Sequence, residues 1–360
     1  MRDESPQQAA GLPAASPTSA VLFYALGSAV MITAILYLGR SILMPLAYAV
    51  VAVFILGTLS DRMARTPGLS RLPAWARHTL LLAAFLFLIA LIFFQIRFAI
   101  VQMATNMPVW AANYQALLAD LDAWLGIEEM TGADLSGLVA SQLDVRSIAM
   151  TALGAVGSLG GTLIGVALYT GFLLVERASV VDRVHLAFAG RPGLARALSL
   201  GAEANARIGG YLVIKTAINI SLGVICYLPL SLMGVEMAGF FAIITGLLNY
   251  IPYLGTWVAV ALPIIAYVGQ GAALGEVLAL FAMLVTIQAI IGNIIDPRLT
   301  GQRVNLSPLL VLIGLVFWTM IWGLAGAVLA VPLTSIILAL LAAFPGGRTI
   351  AILLSNTGEV

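Results

Sequence analysis

Cysteine is nearly absent from this chain: the single Cys226 has no second cysteine to pair with, so no intrachain disulfide holds the fold. Histidine is almost as scarce. His78 and His185 are the two present, and neither sits in a cluster of metal-type ligands, so no metal site is expected. No H-E-x-x-H, G-x-S-x-G or P-loop pattern occurs, which removes the common metalloprotease, serine-hydrolase and ATP-driven readings and leaves no cofactor to assign. Charge is thin as well, at 9% of residues. Seventeen Lys and Arg against sixteen Asp and Glu form no basic patch able to hold phosphates, which excludes nucleic-acid binding.

What fills the chain is apolar: 61% of its 360 residues are hydrophobic, more than a soluble core of this size can hide. Uncharged stretches cover Ala20 to Leu38, Ser41 to Leu59, Thr79 to Ile96, Ser147 to Val175, Met237 to Gly275, Val277 to Ile295 and Val304 to Gly347. Ile208 to Val235 is interrupted only by Lys215. The expected class is an all-α polytopic membrane bundle surrounded by lipid. Its expected organisation is a disordered tail at 1–19, transmembrane helices at 20–96, an extracytoplasmic amphipathic segment at 97–147 and a glycine-rich transmembrane helix at 148–175. A basic cytoplasmic segment at 176–207, a core at 208–347 and a tail at 348–360 complete it. In the fourth span Gly154, Gly157, Gly161 and Gly165 allow close helix approach.

Met237 to Gly275 and Val304 to Gly347 are each about twice the ~20 residues that one crossing requires. Both contain breakers near the centre, at Asn249-Tyr250-Ile251-Pro252-Tyr253-Leu254-Gly255 and at Gly323-Leu324-Ala325-Gly326. Each reads as helix, break, helix, with Pro263 and Pro332 in the second arm. Arg62, Arg65, Arg71 and Arg77 place the loop before His78 inside, and the acids of segment 97–147 place that segment outside. Both termini then lie inside. If the two long stretches are re-entrant hairpins, the first enters from outside and the second from inside. Opposed broken helices of this kind build transport sites.

The candidate path residues are Asn249, Tyr250, Pro252, Tyr253 and Gly255 at the first break, Gly323 and Gly326 at the second, and Asn293 between them. They offer amides, hydroxyls and freed carbonyls at depth. Asp296, Arg298 and Arg303, in a loop expected after Ile295, are candidates for a gate in which Asp296 pairs with Arg298 or carries a proton. Lys215, with Asn219 as its neighbour, is a coupling candidate or a side chain snorkelling to the headgroups. Glu236 and Glu276 stand at the outer rim. With Asp296 assigned to a loop, the spans hold no acid, which favours a neutral passenger.

Gly246-Leu-Leu-Asn-Tyr-Ile-Pro-Tyr-Leu-Gly255, Gly292-Asn-Ile-Ile-Asp-Pro-Arg-Leu-Thr-Gly301, Leu306-Ser-Pro-Leu309 and Trp322-Gly-Leu-Ala-Gly-Ala-Val-Leu-Ala-Val-Pro332 follow one another in order. Together they resemble the autoinducer-2 exporter family, by motif from about Arg207 onward and by hydropathy layout along the rest. The resemblance implies a bacterial inner-membrane homo-oligomer that exports the quorum-sensing signal or exchanges sodium or lithium for protons. The P-x-x-G element of the cation-exchanging relatives falls on Pro252 and Gly255. Three expectations therefore stand: transport without ATP of a small polar solute, monovalent cation/proton antiport, or a membrane partner protein that moves nothing.

Overall fold

The computed structural model describes residues 17–125, 160–176, 194–300, 305–343 and 345–358, with Ser179, Arg183, Leu186 and Ala187. Gly154, Gly157 and Arg303, and most of segment 177–193, lie outside the described residues. Among those described, every regular element is helical, and five helices are long and apolar enough to cross a membrane. The chain is a multi-pass membrane protein.

Helix α1 (Pro17–Leu38) turns at Gly39 into α2 (Arg40–Arg65). After a single 3-10 turn at Leu69–Arg71, α3 runs from Ala74 to Leu125. The apolar run of the third span ends near Ile96, and α3 continues as one helix into the segment expected to be amphipathic and helical. One arginine does not end a helix, and Pro108 is accommodated inside it. Helix α4 covers Gly160–Glu176.

The C-terminal half is built around α5 (Leu194–Leu232), whose buried stripe includes Leu212, Lys215, Asn219, Leu222, Cys226 and Leu230. Helices α6 (Ala238–Leu248) and α7 (Leu254–Gly269) form the first hairpin. At 1.5 Å per residue these arms are about 16 and 24 Å long, less than the ~30 Å of a bilayer core. Helix α8 runs from Leu274 to Thr300. Helix α9 (Pro308–Ala343) is the second hairpin, bent back at Gly323, whose φ of 62° and ψ of −144° belong to no helix. The bend folds one arm on the other, so that the Trp318 indole N–H donates to Thr334 Oγ1 at 3.2 Å. Helix α10 (Pro345–Leu354) packs against its base, where Leu306, Leu338 and Ala351 share a small core with Tyr211 of α5.

The hairpins open toward opposite ends of the Ala206–Leu232 stretch of α5. The first opens at the Leu232 end, where the Tyr267 hydroxyl donates to the Met233 carbonyl at 3.0 Å; the second opens at the Tyr211 end. Their tips meet in between: Leu248 and Ile251 of the first hairpin pack with Trp318, Trp322 and Ala327 of the second, against Met44 and Tyr48 of α2. Both tips share one steric device. A Cβ at Gly255 would overlap the Leu248 carbonyl, and a Cβ at Gly326 the Trp318 carbonyl, so each bend closes only on glycine.

Candidate functional site

The first hairpin approaches α5 so closely that a Cβ at Gly246 would lie 2.7 Å from the Asn219 carbonyl, and one at Gly223 2.8 Å from that of Ala242. This contact brings the hairpin tip onto the polar residues of α5. Asn249 Nδ2 donates to Asn219 Oδ1 at 2.8 Å, and the Tyr250 hydroxyl lies 2.6 Å from Thr216 Oγ1. Thr216 commits its one proton to the Leu212 carbonyl at 2.7 Å, so Tyr250 is the donor in that pair. Tyr253 sits at φ 63°, ψ −56°, and the Leu254 N–H bonds to the Pro252 carbonyl at 2.7 Å. That is a tight three-residue turn of the strained, positive-φ kind. It turns the Tyr253 side chain out of the bundle, half exposed.

One helical turn from Asn219, Lys215 is buried and forms an ion pair with Asp296 of α8. The side chains keep only 11% and 19% of their exposure, so Lys215 is not snorkelling to the headgroups. The expected partner changes too: Arg298 is exposed, and Asp296 takes Lys215 instead. Nor is Asp296 in a loop. Helix α8 passes through a π-helical turn at Ile291–Ile295 and continues as α-helix to Thr300. Pro297 lacks the N–H that would bond the Asn293 carbonyl, and the wider turn absorbs that gap. A span therefore does hold an acid, which corrects the acid-free reading and removes its support for a neutral passenger. The Thr300 hydroxyl lies 3.2 Å from Asp296 Oδ1.

The structure thus gathers Lys215, Asn219, Asn249, Tyr250 and Asp296 in one place. Pro252 and Gly255 shape the turn beside them. Asn293 is exposed on the π-helical turn. Gly323 and Gly326 form a separate tip, held by the Tyr48 hydroxyl on the Ala325 carbonyl and by the Trp322 indole N–H on the Leu36 carbonyl, both at 2.9 Å. At the rim, Glu236 accepts from Asn106 of α3 at 2.5 Å, and Glu276 accepts from the Ala273 N–H at 3.2 Å as a helix cap.

Sequence reasoning missed Thr216 and Gln288. Gln288 is the one polar residue on the buried stripe of α8 formed by Val277, Leu280, Leu284 and Ile291. An amide at stripe spacing two turns before Asp296 was the available signal. Among the described residues no group of three His, Cys, Asp or Glu could hold a metal ion.

Comparison with known proteins gives the same direction. The model of the AI-2E family transporter matches residues 26–346. The chain is 38% identical over 152 residues to the AI-2 transport protein TqsA of Escherichia coli K12, covering 42% of this chain and 44% of TqsA. It is 35% identical over 147 residues to YhhT of the same strain, 41% of this chain and 42% of YhhT. With PerM, also of that strain, it shares 27% identity over 204 residues, 57% of each. These matches span 42% to 57% of each relative's length.

Proposed function

Because the chain belongs to the AI-2E transporter family, we propose that it carries a small polar solute out of the cell without ATP, along the seam where the first hairpin's tip meets α5 beside α8. The observation that carries this reading is the buried Lys215–Asp296 pair beside the tip of the first hairpin. Burying two charges in an apolar bundle costs free energy that attraction between them only partly returns, so such a pair is seldom kept for stability alone. Here it serves as the gate: parting the pair frees an ammonium and a carboxylate to face a passenger, and re-forming it seals the path. The name of TqsA makes autoinducer-2 the first solute to try.

Asp296 also favours a second reading, monovalent cation/proton antiport, since it supplies a carboxylate within a span. Under either reading the protein sits in the bacterial inner membrane with both termini inside, as a homo-oligomer. The exposed apolar face of α3, including Phe87, Phe94 and Phe98, suits lipid or a second copy. Purified protein in liposomes separates the possibilities. Efflux of autoinducer-2 with no proton movement supports solute export; proton movement on adding sodium or lithium supports antiport. A protein that moves neither is a membrane partner of another kind.

A further inference from the structure

The hydrogen-bonding groups along the α5–α8 contact are unbalanced. Asp296 Oδ2 is taken by Lys215, Asn219 Oδ1 by Asn249 and Thr216 Oγ1 by Tyr250. Two donors are left over: Asn219 Nδ2 and Gln288 Nε2 are buried, and neither has a hydrogen-bond partner. The residues are 3% and 4% exposed, so bulk water does not reach them. A buried amide N–H without an acceptor is a cost that folded proteins avoid unless something else fills the place.

The two amides lie in file. Helices α5 and α8 are tied at Lys215 and Asp296, and Ile218, Leu222, Leu284 and Ile291 of the same pair of helices share one core. Measured from the ion pair, Asn219 is one turn along α5, about 6 Å, and Gln288 about two turns back along α8, about 12 Å. The unpaired donors are therefore set about 6 Å apart along the axis, on the same side of the gate.

We propose that Asn219 and Gln288 form a donor subsite that binds oxygen acceptors of the passenger, one at each amide. The proposal rests on the transport reading and narrows it. A bare monovalent cation needs oxygen lone pairs and meets N–H groups here instead, so it is not what this subsite takes. Gln288 is then a binding residue, and Asn219 both binds the passenger and, through Asn249, senses the hairpin tip.

Two measurements on Gln288→Leu in the full-length protein test this. In detergent without solute, removing an unpaired amide should leave the melting temperature equal to or above that of the wild type. In liposomes, the variant should need at least ~10-fold more autoinducer-2 for half-maximal efflux, a factor worth about 1.4 kcal/mol. A fall in melting temperature means the amide is already satisfied, and unchanged efflux means it touches no passenger; either result overturns the subsite while leaving transport standing. Wild-type uptake of ²²Na⁺ in place of autoinducer-2 efflux overturns the subsite too. If wild type moves neither probe, the transport reading fails first and the subsite with it.

Discussion

Lys215 of α5 and Asp296 of α8 stand 81 residues apart in sequence and meet as a buried ion pair beside the tip of the first hairpin. Removing one partner leaves the other charged and buried, a loss of about 3–5 kcal/mol, whereas removing both leaves no orphan. Lys215→Met and Asp296→Asn should each lower the denaturation midpoint in detergent, and the double variant should recover much of the loss. On the proposed gating role, all three should lose flux in liposomes.

The glycines that close the two bends make a sterically sharp prediction. Alanine at Gly255 or Gly326 places a methyl on the Leu248 or Trp318 carbonyl, which the bend relieves only by opening. Overpacking of this kind costs about 1–3 kcal/mol or more. Each variant should melt earlier than wild type and carry less solute. Gly161→Ala on α4, which has open space around it, should change neither.

Tyr250 and Thr216 give a milder test of the hairpin's seat on α5. Thr216→Val strands the part-buried Tyr250 hydroxyl and should cost about 1 kcal/mol or more, while Tyr250→Phe removes the donor and should cost about 0.5–1.5 kcal/mol. A double-mutant cycle on the melting transition should show the two effects to be coupled rather than additive.

The second hairpin's tip is tied to helices outside the core by Tyr48 and Trp322. Tyr48→Phe leaves the Ala325 carbonyl without that donor, at a cost of about 1 kcal/mol. A cysteine at Ala325, in a Cys226→Ala background, should react faster with a thiol reagent when Tyr48 is phenylalanine. Equal rates would mean the tip is held by packing alone.

Both hairpins were legible in the sequence because their cause is local: an apolar run too long for one crossing, interrupted by glycine or proline, has to turn. Lys215 was legible for the same reason, as one charge in an apolar run. Its partner was not, since pairing across two helices is a tertiary fact. Asp296 was misplaced into a loop because Pro297 ordinarily ends a helix, and the π-helical turn that lets α8 continue has no sequence signature of its own. Gln288 sits in mid-run with no breaker or charge beside it, so its sequence context does not single it out. Its significance lies in a missing partner, which only the packed structure displays.

The central claim is that water and a polar passenger reach the seam between the first hairpin's tip and α5. In a Cys226→Ala background, a cysteine in place of Asn249 should react with a charged, water-soluble methanethiosulfonate during transport, and autoinducer-2 should slow the reaction. A cysteine there that stays inert to the reagent applied from either side of the membrane would contradict the account.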